Sequence, residues 1–232
     1  MKANRFFMTA IFSIIGVLAA AQPWMMRPQG PANEFSAMEG TSVLNYNLQM
    51  ERDIHSRAGY GPAFYIFPDS KLDNNQALEL AGKLDLVNII KEYGGRIMVV
   101  NPSSDKWQEQ DLENFRRLIG MGGSPTNVKV IGIGSGATFV NRHLAATDLT
   151  GVIAGIVSID GEPGKICKLP VPAFIGGKNA AKTAKPYQST SDAAPADPLQ
   201  KVVVNTDKKA SLETLFAEAW DKVLRENYRY NN

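Results

Sequence analysis

The sequence predicts an α/β fold with a mostly parallel central sheet and helices on both faces. Three observations carry this expectation. Short apolar runs alternate strictly with amphipathic helical stretches from Pro62 onward. Runs such as RIMVV and VKVIGI lack polar alternation, as parallel strands buried on both faces do. The chain has 232 residues, 44% hydrophobic and 21% charged, enough for one globular domain with a sizeable core.

The elements follow in order. PAFYIFP, Pro62 to Pro68, is an aromatic and β-branched strand. NNQALELAGKLDLVNIIKEYGG reads as one helix stopped by Gly94 and Gly95. RIMVVN is a buried strand. QEQDLENFRRLIGMGG is a second helix, with Leu112, Phe115, Leu118 and Ile119 on one stripe. VKVIGIG is a third strand and ATFVNRHLAA a third helix. GVIAGIVSID and VPAFIGG are the fourth and fifth strands. KNAAKTAKPYQSTSDAAPADP is small, polar and proline-bearing, and reads as a long loop at the active edge of the sheet, either a substrate lid or a solvated insertion. DPLQKVVVN is either a short strand or an extended segment. SLETLFAEAWDKVLREN closes the pattern as a helix.

The N-terminus has a different character. Lys2 and Arg5 precede the apolar run FFMTAIFSIIGVLAA, and Ala19 and Ala21 form an A-x-A site. Residues 1–21 are therefore expected to be a signal peptide, with a retained membrane anchor as the competing reading. Residues 22–42 read as an extended lead-in, and 43–232 as the domain. A secreted or periplasmic protein follows, with no stable membrane span after signal cleavage. The net charge of +2, without a basic run, points away from nucleic acid. Cys167 is the single cysteine, expected to be buried and inert. Two distant histidines and one cysteine make no metal set.

The strongest local signal is VIGIGSGATFVNRHL, a strand, a glycine-rich turn and a helix. One chemistry for that shape is a serine nucleophile on a tight turn, in the pattern G-x-S-x-G. Ser135 is the candidate, with Gly134 and Gly136 beside it, Ile133 two residues back and Ala137 two residues on. The N–H of Gly136 would then be one oxyanion donor. The rival chemistry is dinucleotide binding, since Gly132, Gly134 and Ala137 match G-x-G-x-x-G/A and Asp160 follows the next strand. Against it, two strand–helix units come before this turn. A third reading is a packing turn with no chemistry. Trp107 follows a strand end, where it either stacks on a ligand or packs.

The element order and the phrase SPTNVKVIGIGSGA resemble secreted α/β-hydrolase esterases of the polyhydroxybutyrate depolymerase and feruloyl esterase type, over roughly Pro62 to Gly177. The resemblance implies an α/β-hydrolase-like fold and a carboxyl-ester substrate, small or polymeric, with no cofactor. It gives Ser135 the nucleophile role and Gly136 a place in the oxyanion hole. The second donor is expected near Asp69 or Ser70, in PDSKLDNN, where family members commonly carry His-Gly. No carboxylate follows VPAFIGG, so Asp160, or else Glu162, is the candidate acid.

The histidine should come last in chain order. Only His55 and His143 exist. His143 lies eight residues beyond Ser135, roughly 12 Å along a helix, too far for a hydrogen bond to the hydroxyl. Serine without a base is a weak nucleophile. Three expectations follow: a degenerate hydrolase that binds without cleaving, a chain whose histidine lies beyond Asn232, or an unusual base such as Lys165 or Lys178.

Overall fold

The computed structural model describes residues 35–38, 41–46, 62–121, 128–149, 151–193 and 201–225. The expected signal peptide and His55 lie outside them.

Eight strands form one sheet: β1 (Phe35–Met38), β2 (Thr41–Tyr46), β3 (Ala63–Phe67), β4 (Arg96–Asn101), β5 (Val128–Ile133), β6 (Ile153–Ile159), β7 (Ala173–Gly176) and β8 (Val202–Asn205). Their spatial order is β1-β2-β4-β3-β5-β6-β7-β8. From β4 to β8 every neighbouring pair is parallel. β1 and β2 add an antiparallel ribbon at one edge, with Val43 opposite Val100. They arise from a stretch whose sequence shows no strand period, so pairing, β2 with β4 and β1 with β2, and not local pattern, defines them.

Side chains of β3 alternate between two cores. Phe64 and Ile66 face one side of the sheet, with Ile97, Val99 and Ile131 from its neighbours. Tyr65 and Phe67 face the other, with Met98, Val100 and Val130. Both sides are apolar, so the strand reads as a continuous hydrophobic run.

On the first face pack α1 (Asn74–Lys83), α2 (Leu86–Tyr93) and α6 (Leu212–Ala219). On the second pack α3 (Gln110–Met121), α4 (Ser135–Phe139) and α5 (Ala180–Ala193). α4 and α6 each run on into a π-helical turn, Val140–Leu144 and Trp220–Leu224. Trp220 rests edge-on to Tyr93, joining α6 to α2.

Two helical expectations change. The single helix read over residues 74–93 is two. Asp85 adopts a left-handed φ of +52°, and this breaks the ladder between α1 and α2. Asp73 starts α1 in a capping box with Gln76: each side chain accepts the other residue's backbone N–H. The expected late loop is instead largely α5. Ala180, Thr183, Ala184 and Tyr187 are its buried face, at helical spacing. That stripe escapes a hydropathy reading because it is made of small and polar residues. Pro186 sits within α5 and withholds one backbone N–H.

Cys167 is buried, and its thiol donates to the Leu169 carbonyl at 3.4 Å. Burial pushes the thiol's pKa up, and the neighbouring polar groups of Leu169 and Thr190 offset this only in part. Less thiolate at neutral pH means slower chemistry. Native protein is therefore expected to react with Ellman's reagent far more slowly than protein unfolded in guanidinium. Equal rates would place the thiol at the surface.

Candidate functional site

The loops at the C-terminal ends of β3, β4 and β5 meet where the strand order reverses: β4 was laid on one side of β3 and β5 on the other. Ligands bind in that crevice in open α/β sheets. Here it holds a cleft of about 410 Å³ lined by Asp69 after β3, Asp105, Lys106 and Trp107 after β4, and Ser135, Thr138, Phe139, Arg142 and His143 after β5.

The turn between β5 and α4 is built by contact. A Cβ placed on Gly132 would lie 2.6 Å from the Ala137 Cα, and one on Gly136 only 2.1 Å from the Phe67 carbonyl oxygen. These two positions are the crowded flanks of the bend, where only glycine fits. The residue midway between them is Gly134, with φ +56° and ψ −118°. In the pattern G-x-S-x-G the strained central position carries the nucleophile. Here Gly132, Ile133, Gly134, Ser135 and Gly136 fill that pattern, and its apex has no side chain. The spacing of Gly132 and Gly136 is the sequence signal for this frame, which lies one residue ahead of the frame centred on Ser135.

Ser135 is the residue after the apex, exposed in the cleft. Its backbone N–H donates to Asp69 Oδ1 at 2.6 Å, and its hydroxyl donates to the Asp69 carbonyl oxygen. In this frame the N–H of the residue following the nucleophile position is the oxyanion donor. That donor already serves an internal carboxylate. The same Asp69 Oδ1 lies 2.2 Å from where a Cβ of Gly134 would stand. Asp69 therefore fills the volume that a nucleophile side chain would occupy.

Gly136, expected as an oxyanion donor, is buried within α4 against the Phe67 carbonyl. Ser70 is exposed in the bend after β3. Asp160 follows β6 with a left-handed φ of +57°, and its carboxylate accepts the Lys178 N–H at 2.9 Å. It lies between the ends of β6 and β7 and does not line the cleft with Ser135. Glu162 is anchored three ways: its N–H donates to Thr138 Oγ1, its carbonyl accepts from Asn141, and its carboxylate accepts from Asn179. Buried Tyr187 donates its hydroxyl to Asn141 Oδ1 at 2.8 Å, so α5 locks the loop beneath Glu162 to the helical segment after β5.

The cleft wall is aromatic. Trp107 stacks on Phe139 at 4.9 Å and 25°, and the His143 ring lies 5.6 Å beyond Phe139. Trp107 is fixed by donating Nε1–H to the Pro68 carbonyl at 2.8 Å. His143 is half-buried and faces the same cleft as Ser135 because residues 135, 139 and 143 share one helical side.

No family model matches the chain, and no curated protein sequence matches it. Solved structures do match. An α/β serine hydrolase without a lid from Xanthomonas campestris is similar at 14% identity and a TM-score of 0.51, over 86% of this chain and 98% of that one. A carboxylesterase from Mesorhizobium loti is similar at 8% identity and a TM-score of 0.50, over 82% and 98%. An α/β hydrolase enzyme from a Medee basin deep-sea metagenome library gives 13% and 0.50, over 73% and 79%. The fold is that of the α/β hydrolases. At such identities the likeness defines architecture, and function rests on the site.

Proposed function

We propose that this protein is an exported binding protein on an α/β-hydrolase scaffold, which holds a small molecule in the cleft beside Ser135 without cleaving it. The observation that carries this reading is the glycine at the apex of the turn, with the Asp69 carboxylate packed against it and bonded to the Ser135 N–H. Nucleophile and free oxyanion donor are both lacking at the place where ester cleavage needs them. Export is supported by the charged start, the apolar run and the Ala19–Ala21 site.

The second reading is a carboxyl-ester hydrolase of the secreted esterase type, with Ser135 as nucleophile, Asp160 as acid, and Gly136 and Ser70 as oxyanion donors. What favours it is the exposed Ser135 hydroxyl in a cleft that His143 also lines. Dinucleotide binding ranks third, since a pyrophosphate drawn to the turn at Gly134 would meet the Asp69 carboxylate.

A fluorophosphonate probe separates the first two. Folded protein is expected to remain unlabelled, at the level of its Ser135→Ala variant. Stoichiometric labelling that Ser135→Ala abolishes would establish the hydrolase reading instead.

A further inference from the structure

The cleft carries a charge pattern that the scaffold does not need. The Arg142 guanidinium, the Lys106 ammonium and the Asp105 carboxylate have no hydrogen-bonding or ionic partner among the described residues, yet all three line the cleft. The fourth charged group, Asp69, is engaged by the Ser135 N–H. Some exposed helical charges elsewhere are paired locally, as in Lys83–Glu79 and Lys222–Glu218, and others such as Lys91 and Lys182 are not, so it is the gathering of these groups in one cleft that distinguishes them. Two uncommitted cations thus stand beside Trp107 and His143, the half-buried rings on either side of buried Phe139. Arg142 lies seven residues beyond Ser135, about 10 Å along the helical axis. Arg142 thus stands about two helical turns from the end of the cleft where Asp69 accepts the Ser135 N–H.

We infer that the cleft selects a planar aromatic anion, with its ring against Trp107 and His143 and its carboxylate or phosphate on Arg142, supported by Lys106. Guanidinium grips such oxyanions through two parallel hydrogen bonds. An uncharged ester of the same ring offers Arg142 no charge, so the selected class is the free acid and not the ester. The Asp105 carboxylate opposes the bound charge, which gives the proposal a contribution of the opposite sign to test. The inference rests on the binding reading above, and its test separates the two.

The experiment is titration calorimetry of the full chain with four probes: naphthoate, adenosine monophosphate, naphthalenemethanol and acetate. At least one of the two planar anions is expected to bind, and at least tenfold more tightly than both the uncharged ring and acetate. Which of the two binds identifies the acid as carboxylate or phosphate. Arg142→Gln is expected to weaken binding about tenfold, the loss of one charge-assisted contact. Lys106→Gln is expected to weaken it less, and Asp105→Asn to tighten it about threefold. All three side chains are exposed, so these variants fold. The inference is overturned if neither anion binds, if naphthalenemethanol binds as well as naphthoate, or if Arg142→Gln changes nothing. Turnover of naphthyl acetate that Ser135→Ala abolishes would instead sink the binding reading, whatever the anion titrations show.

Discussion

Gly134→Ser is expected to destabilise the protein by about 2–4 kcal/mol, because the new side chain meets two separate obstacles. The backbone at φ +56° is disfavoured for any residue with a Cβ, and that Cβ would stand 2.2 Å from Asp69 Oδ1. The two obstacles can be told apart. In Asp69→Ala with Gly134→Ser the clash is gone and only the backbone strain is left. The double variant is therefore expected to regain more than half of the loss, a non-additivity that equilibrium denaturation measures directly. Additive losses would mean that Asp69 and the apex do not share space. Gly134→Ser is also expected to give no esterase activity by itself, since the Asp69 carboxylate stands at that position and accepts the Ser135 N–H.

Phe139→Ala is expected to cost about 3–5 kcal/mol, the range for deleting a buried aromatic ring. Phe139 is 2% exposed, and its ring lies 5.7 Å from Phe67 and 4.9 Å from Trp107. Its loss takes away both core packing and the middle of the cleft wall. Trp107 loses its stacking partner, so a shift in intrinsic fluorescence should accompany the fall in stability. Phe139→Leu keeps part of the volume and is expected to lose roughly half as much. A Phe139→Ala protein with unchanged midpoint and fluorescence would contradict this packing.

Most of the sheet was legible in the sequence, for a physical reason. β3 to β7 are buried on both faces, so each is a short apolar run between polar segments, and no partner need be known to see it. β1 and β2 were not legible because pairing defines them, β2 on β4 and β1 on β2. The break at Asp85 left no trace in the hydrophobic period, which runs on through Leu86, Ile89 and Ile90. α5 hid behind Ala180, Thr183 and Ala184, residues that pack well in a helix but add little hydropathy. At the site, the glycine-rich turn and its strand–helix setting could be read directly. The apex could have been read from the spacing of Gly132 and Gly136. The role of Asp69 could not, since it depends on β3 lying beside β5, a neighbour relation no local pattern encodes.

That neighbour relation also governs how the chain assembles. β3 leaves the ribosome early, but one of its long edges stays bare until Val128 arrives to lie beside Ala63 and Gly132 beside Phe67. Parallel pairing across such a sequence gap carries a large loop-closure entropy, and topologies of this kind fold slowly. In the interval, AFYIF is an uncovered, fully apolar segment with strong β propensity, the type that sticks to other nascent chains. A chain truncated before β5 is therefore expected to aggregate more readily than one that includes Val128–Ile133.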